Sequence, residues 1–196
     1  MKIGIAGGIG SGKSYVCKLL GQHGIAVYDC DAAAKRLMRT SPALRQQLTA
    51  LIGPDTYQPP ISAGRLNKAA VARFLLASDD NAHAIDTIVH PAVFRDFEES
   101  GLTWMESAIM FESGIYRLVD RVVVVTAPDE LRLQRIVARD GISEAKARQW
   151  MARQWPQEEV RRRADYEIVN DGRADLQQQV NELLTVLSHE PHDTNK

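Results

Sequence analysis

A glycine-rich segment close to the start of the chain constrains its fold more than any other feature. Residues 7–14, Gly7-x-x-x-x-Gly12-Lys13-Ser14, follow a short apolar run and precede apolar residues at helical spacing. Glycines let successive backbone N–H groups turn toward an anion, and the helix that follows adds the positive end of its dipole. The order of strand, glycine-rich loop and helix therefore predicts a P-loop, and with it a protein that binds a nucleoside triphosphate.

The loop and the residue after it supply the predicted ATP-binding residues. The competing dinucleotide fingerprint G-x-G-x-x-G fails, because neither glycine pair is followed by a third glycine at the required position. Lys13 is predicted to carry its charge to the β- and γ-phosphates as a catalytic residue, and the Ser14 hydroxyl to complete a Mg²⁺ site. The predicted set is Gly7, Gly8, Ile9, Gly10, Ser11, Gly12, Lys13, Ser14 and Tyr15.

Hydrophobic patterning predicts an α/β fold, a P-loop NTPase-type parallel sheet flanked by helices. The run from Val122 to Val125 is typical of a buried parallel strand. A helix is predicted to begin at Pro128, and Asn67 and Asp79 are plausible helix N-caps. The predicted strands cover residues 1–6, 25–28, 103–110, 121–126 and 166–169.

A long helical stretch interrupts the alternation of strands and helices. Residues 32–100 contain helical patterns and no convincing strand, which predicts an inserted helical subdomain. Residues 1–31 and 101–196 are predicted to form the nucleotide-binding core, with a helical lid at about 138–163. The polar tail over residues 189–196 is expected to be frayed.

Composition excludes several classes of protein. The 196 residues carry 24 Lys and Arg against 25 Asp and Glu, a balance that gives no reason to expect a nucleic-acid partner. Two cysteines form neither a disulfide framework nor a four-ligand zinc site. No apolar run is long enough to span a membrane, and the N-terminus lacks the apolar segment of a signal peptide. We expect a cytoplasmic protein that binds small molecules, and no feature indicates an obligate protein partner.

A P-loop alone does not specify the reaction, and two classes of protein remain. The GTPase motifs are absent, because no Asp has Gly three residues later and Asn67-Lys68 is followed by two alanines. A small-molecule kinase is the leading class. A nucleoside monophosphate kinase is the alternative within that class, because such kinases share the P-loop, the inserted subdomain and the lid. The alternative from another class is a nucleotide-dependent switch that hydrolyses ATP slowly.

Two carboxylates, Asp29 and Asp31, follow the second predicted strand. Residues two apart on a strand share a face, and ligands of open α/β sheets lie beyond the carboxyl ends of the strands. One carboxylate could accept the proton of an acceptor hydroxyl and orient it toward the γ-phosphate. The alternative is that both residues only cap the next helix.

The later part of the chain contains a basic segment. Nine basic and four acidic side chains lie between Arg132 and Arg163. Arg135 and Arg139 are four residues apart, and therefore on one helix face, which suits a lid that closes on the transferring phosphate. For most of the basic residues a solvated helical surface is the better interpretation.

The order of these motifs resembles the dephospho-coenzyme A kinase family. Residues 4–14 are similar to the family's opening G-L-T-G-G-I-G-S-G-K-[ST], and the resemblance extends to about Val180. Lys35 stands where the family often has Arg, and Cys30 replaces an Ala between the two carboxylates. The further matching elements, in order, are Asp29-Cys30-Asp31, Leu66-Asn67-Lys68, His90-Pro91, Phe111-Glu112, Gln134-Arg135, Arg139-Asp140, Gln154 and Ala164-Asp165…Ile168…Asn170…Gly172.

This resemblance implies an activity and a set of roles. The implied reaction is Mg²⁺-dependent transfer of the ATP γ-phosphate to the ribose 3′-hydroxyl of dephospho-coenzyme A, the final step of coenzyme A biosynthesis. Asp31 would be the base with Asp29 in support, and Asn170 would lie near the ATP base. Arg135 and Arg139 would be catalytic lid residues. The inserted helical subdomain at residues 32–100 would bind the acceptor. The acceptor-binding residues would include Asp29, Asp31, Lys35, His90 and Glu112, although His90 could equally be a core histidine.

Overall fold

Five short strands form one sheet in the computed structural model, which describes residues 1–60 and 64–190. The sheet order is β2-β3-β1-β4-β5, and β1 pairs in parallel with both β3 and β4, as β4 does with β5. Because the paired strands are parallel, their carboxyl ends lie at one edge, and the P-loop follows β1 there. The strands are β1 (Ile3–Ala6), β2 (Val27–Asp29), β3 (Trp104–Glu106), β4 (Arg121–Thr126) and β5 (Tyr166–Val169).

Helices connect the strands along the chain and fill the segment between β2 and β3. Their bounds are α1 (Lys13–Gln22), α2 (Cys30–Thr40), α3 (Pro42–Ile52), α4 (Lys68–Ala77), α5 (Asp79–Ser100), α6 (Asp129–Asp140), α7 (Glu144–Ala152), α8 (Gln157–Arg163) and α9 (Leu176–His189). Contacts divide the chain into two compact units, Met1–Tyr28 with Leu102–Lys196 and Asp29–Gly101. Within the described residues, no helix is long and apolar enough to cross a bilayer.

The first unit is organised around a continuous apolar core. Ile5, Val123 and Ile168, from three adjacent strands, are almost completely buried. Residues of α1 and α9, among them Val16 and Val180, pack in the same cluster. This burial fixes β1 and α1, and therefore the two ends of the loop between them.

In the second unit, short polar side chains mark where the helices begin. The Asp29 carboxylate accepts from the Ala32 N–H at the start of α2, and Asn67 caps α4 as expected. The prediction that Asp79 is a cap is wrong, because the Ser78 hydroxyl accepts the Asn81 N–H and α5 begins one residue earlier.

The predicted α/β class with a parallel sheet is confirmed, but two elements differ from the prediction. The strand predicted over 103–110 ends at Glu106, because the Ser107 hydroxyl accepts the Ile109 N–H and turns the chain. Residues 111–118, whose sequence predicts a short helix, contain only the 3-10 segment Ile115–Leu118. The acceptor subdomain at 32–100 and the lid at 138–163 stay predictions, and residues 191–196 of the expected frayed tail lie outside the described residues.

His90 on α5 provides a prediction about stability. Its ring stacks on Phe94 with centroids 6.2 Å apart, and Nε2 lies 3.5 Å from Asp86 Oδ1. Burial lowers the pKa of His90, Asp86 opposes that shift, and the charge of His83 adds to it. Because the folded-state pKa is depressed, the unfolded chain binds the proton first, so stability falls as pH drops below about 6.5.

We therefore expect His90→Gln to flatten the pH dependence of the free energy of unfolding between about pH 7.5 and 5.5. Urea unfolding at several pH values in this range, with wild type and His83→Gln in parallel, measures the slope. An equal slope in wild type and His90→Gln would contradict a neutral His90 in the folded state.

Candidate nucleotide-binding site

Two glycines give the P-loop a shape that other residues could not adopt. Gly10 and Gly12 have φ of 80° and 97°, in the left-handed region. A Cβ on Gly10 would lie 2.6 Å from the Arg132 carbonyl oxygen, and one on Gly12 would lie 2.0 Å from Asn170 Nδ2. The loop is therefore in close contact with α6 and with the residue that follows β5.

The loop places three polar side chains at the start of α1. Lys13 is half-buried and donates from Nζ to the Gly7 carbonyl oxygen at 2.6 Å. Ser14 is exposed in the first helical turn, and Tyr15 beside it is 53% exposed. The Ser11 hydroxyl is buried and has no hydrogen-bond partner within the described part of the chain. A buried hydroxyl without a protein partner is expected where a ligand supplies one.

The outer side of the loop is held by side chains from α6 and from the end of β5. Arg132 donates from Nε to Ile9 O at 3.0 Å, and Arg135 donates from Nη1 to Gly10 O and Ser11 O, both at 3.3 Å. Asn170 donates from Nδ2 to Ser11 O at 2.8 Å and accepts at Oδ1 from Arg135 Nη2 at 2.9 Å. Arg135 and Asn170 therefore meet at the loop, as part of one hydrogen-bonded group.

A narrow cleft lies beside the first two loop glycines. Gln154, between α7 and α8, accepts the Ile9 N–H at Oε1 at 2.7 Å and donates from Nε2 to Ala108 O at 3.0 Å. Glu112 lines the same cleft and accepts the Trp155 N–H at 3.0 Å. The cleft lining comprises Gly7, Gly8, Ala108, Glu112, Val124, Arg132, Gln154, Trp155, Gln157 and Val160.

In the part of the chain that the structure describes, Arg139 makes no hydrogen bond to the loop. Its side chain is 60% exposed and donates to Asp140 from Nε at 3.0 Å and Nη2 at 2.7 Å. The hydrogen bond from Arg139 lowers the pKa of the Asp140 carboxyl and raises the pKa of the guanidinium. Arg139 therefore stands apart from Arg135, although the two share a helix.

The two predicted carboxylates belong to different elements. Asp29 is the last residue of β2 and the N-cap of α2, whereas Asp31 lies exposed in the first turn of α2. The two residues do not share a strand face, because the chain turns into helix at Cys30. Lys35 is exposed one turn further along α2, and His90 lies on α5.

Sequence reasoning missed three residues of this site. Arg132 was grouped with the basic segment only, although it lies three residues before Arg135 and thus on a neighbouring part of the same helix face. Gln154 entered only through the family resemblance. Glu106 ends β3 opposite Ile5 of β1, the strand that leads into the loop.

Comparisons with known proteins agree with the geometry. A family model described as dephospho-CoA kinase matches residues 1–175. Dephospho-CoA kinase of Bacteroides fragilis is 40% identical over 199 residues, which are 98% of this chain and 95% of the relative. Dephospho-CoA kinase of Chlorobaculum tepidum is 38% identical, over 94% of this chain and 96% of the relative.

Solved structures show the same fold. The crystal structure of TT1252 from Thermus thermophilus shares 32% identity with a TM-score of 0.79, over 97% of this chain and 98% of that one. Dephospho-CoA kinase from Campylobacter jejuni, at 20% identity and a TM-score of 0.66 over 96% and 98% of the two chains, shows the fold alone. The family resemblance read from the ordered motifs is thus confirmed, and this chain belongs to the dephospho-CoA kinase family.

Proposed function

We propose that the protein transfers the γ-phosphoryl group of ATP to the ribose 3′-hydroxyl of dephospho-coenzyme A, and that it acts in the cytoplasm. The observation that carries the proposal is the P-loop with its close glycines and its lysine, in a chain that matches one kinase family over residues 1–175. Phosphoryl transfer needs mainly positioning and charge stabilisation, and both are what such a loop supplies. The expected products are coenzyme A and ADP.

Lys13 and Asp31 carry the central roles in this proposal. Lys13 moves its ammonium group from the Gly7 carbonyl to the terminal phosphates, where negative charge is redistributed during transfer. Asp31 orients the acceptor hydroxyl and accepts its proton. Asp31 is the better candidate of the pair, because a carboxylate oxygen of Asp29 already accepts the Ala32 N–H. A carboxylate is a weak base for an alcohol, so orientation is its main contribution.

The remaining predicted residues are assigned to the acceptor and the lid. We assign acceptor binding to residues 32–100, with Asp29, Lys35 and His90, and to Glu112 in the cleft beside Gly7. We assign a lid to residues 138–163, with Arg139 as the arginine that approaches the phosphates. The exposure of Lys35 and Arg139 supports both roles, since neither side chain is buried in packing.

The residues around the loop fit a Mg²⁺ ion bound with ATP. Mg²⁺ prefers oxygen ligands and usually keeps several waters, so few protein groups are needed. The exposed Ser14 hydroxyl would hold the ion, and the Glu106 carboxylate at the end of β3 would support it. When bound, the ion neutralises negative charge on the phosphates.

We expect Ser14→Ala to raise the Mg²⁺ concentration needed for half-maximal activity by about 10-fold or more, because a direct ligand is lost. Activity measured against Mg²⁺ at fixed ATP tests this, with Ser14→Thr expected to retain most of the wild-type response. Ser188→Ala, at an exposed position of α9, is the control. An unchanged Mg²⁺ response in Ser14→Ala would remove Ser14 from the metal site.

The test of the proposed function is an ADP-release assay with ATP and Mg²⁺, run with dephospho-coenzyme A, with AMP and without acceptor. Release that depends on dephospho-coenzyme A, with ³¹P NMR locating the new phosphate at the 3′ position, is the expected result. Release with AMP alone would replace the acceptor by a nucleoside monophosphate. Equal release in all three reactions would indicate an ATP hydrolase acting through another partner.

A further inference from the structure

Three consecutive carbonyl groups of the P-loop accept hydrogen bonds from arginine or asparagine side chains. Ile9 O accepts from Arg132, Gly10 O accepts from Arg135, and Ser11 O accepts from both Arg135 and Asn170. Arg132 and Asn170 are only 4% and 7% exposed. These bonds therefore form within the protein, where donors to a carbonyl are costly to lose.

The orientation of each carbonyl also decides where the next N–H points. In a trans peptide the C=O of one residue and the N–H of the next lie on opposite sides of the bond. Holding the carbonyls of Ile9 and Ser11 toward these donors consequently directs the N–H groups of Gly10 and Gly12 away from them. The N–H that follows the Gly10 carbonyl, that of Ser11, is bonded within the loop to Gly8 O at 3.1 Å. Converging N–H groups are what a backbone nest uses to bind phosphate.

We propose that Arg132, Arg135 and Asn170 form a loop brace, a set of positioning residues that holds the P-loop peptides in their phosphate-binding orientation. This gives Arg135 and Asn170 a role different from the lid and base contacts that the family resemblance implies. The inference rests on the proposed function only in that the loop binds a nucleotide, and it is independent of the acceptor.

The three brace residues are linked to one another as well as to the loop. Arg135 donates from Nη2 to Asn170 O at 3.2 Å and Oδ1 at 2.9 Å, so that loss of either side chain releases part of the other. Arg132 is held separately, because its Nη1 donates to Asp129 Oδ1 at 2.9 Å. Arg135 and Asn170 should consequently behave as one unit, and Arg132 as a second support.

The test is calorimetric binding of ADP and of the β,γ-imido analogue of ATP, with Mg²⁺ and without acceptor. Arg135→Gln should weaken both nucleotides by the same factor, about 10-fold or more, because several bonds from a charged donor are lost. Arg135→Lys keeps one charged donor group, so its affinities for the two nucleotides should lie between those of wild type and Arg135→Gln. Asn170→Asp keeps the oxygen that accepts from Arg135 but loses the donor to Ser11 O, and should also weaken both.

Arg121→Gln is the matched control, since it removes an arginine paired with Glu190 at the opposite end of β4 from the loop. It should bind both nucleotides as wild type does. If Arg135→Gln weakened binding of the ATP analogue but not of ADP, Arg135 would be a lid residue and the proposed brace would be overturned. Unchanged affinities with a lower Tm would also overturn it. If Arg135→Gln does not fold, Arg135→Lys and Asn170→Asp decide the question. Because no acceptor is present, failure here is distinguishable from failure of the proposed reaction.

Discussion

Lys13→Ala is expected to lower kcat by about 10²–10³-fold or more, with the fold intact. The side chain is half-buried and its ammonium group lies on the Gly7 carbonyl, at the mouth of the loop. A charge aimed at the transferring phosphoryl group is effective in a site that excludes water, because the low dielectric strengthens it. Steady-state ADP release with dephospho-coenzyme A gives kcat and KM, and the larger loss should fall on kcat.

Two further variants separate the role of Lys13 from a general loss of charge. Lys18→Ala removes an equal charge from an exposed position of the same helix and should leave kcat unchanged. Lys13→Arg keeps the charge but replaces a compact ammonium by a planar fork, so it should remain far below wild type. Circular dichroism and Tm check that Lys13→Ala is folded. Near-normal turnover of folded Lys13→Ala would exclude the loop from the transfer step.

The fold was predictable where burial leaves an unambiguous pattern. The strands β4 and β5 have the predicted bounds. For β4 the reason is that a strand buried on both faces reads as a continuous apolar segment, here Val122 to Val125. The strand after residue 102 was predicted too long, because apolar residues continue past Glu106 although the Ser107 side chain ends the strand. Asp29 illustrates the same limit, since its capping bond is a local competition between side chain and backbone.

The site was predictable as far as its motif extends along the chain. The spacing of the motif alone predicted the loop residues and Lys13. It did not predict the side chains that bond to the loop from elsewhere in the chain. Arg132 bonds to Ile9, 123 residues away, and Gln154 bonds to the same residue across 145 residues. Such pairings depend on how α6 and the α7–α8 connection pack on the loop, which periodicity does not encode. Charge alone suggested a lid for Arg135, but an arginine is also a multiple hydrogen-bond donor.

Asp31→Asn is expected to lower kcat by about 10²–10⁴-fold, while the affinity for ATP changes little. The amide is nearly isosteric but cannot accept the proton of the acceptor hydroxyl. The change also removes a negative charge from the first turn of α2, a loss of about 0.3–1 kcal/mol of stability through the helix dipole. Unfolding in urea measures that loss separately from ADP release, so a fall in kcat cannot be attributed to unfolding.

Asp29→Asn is the decisive comparison, because asparagine caps a helix about as well as aspartate and should leave α2 stable. If Asp31 orients the acceptor, Asp29→Asn should reduce kcat less than Asp31→Asn does. Asp55→Asn, an exposed carboxylate of the same unit, controls for charge and should match wild type. A greater loss in Asp29→Asn would reverse the two roles. Near-wild-type kcat in both variants would mean that neither carboxylate orients the hydroxyl, and the transfer step would then depend on the loop and Lys13 alone.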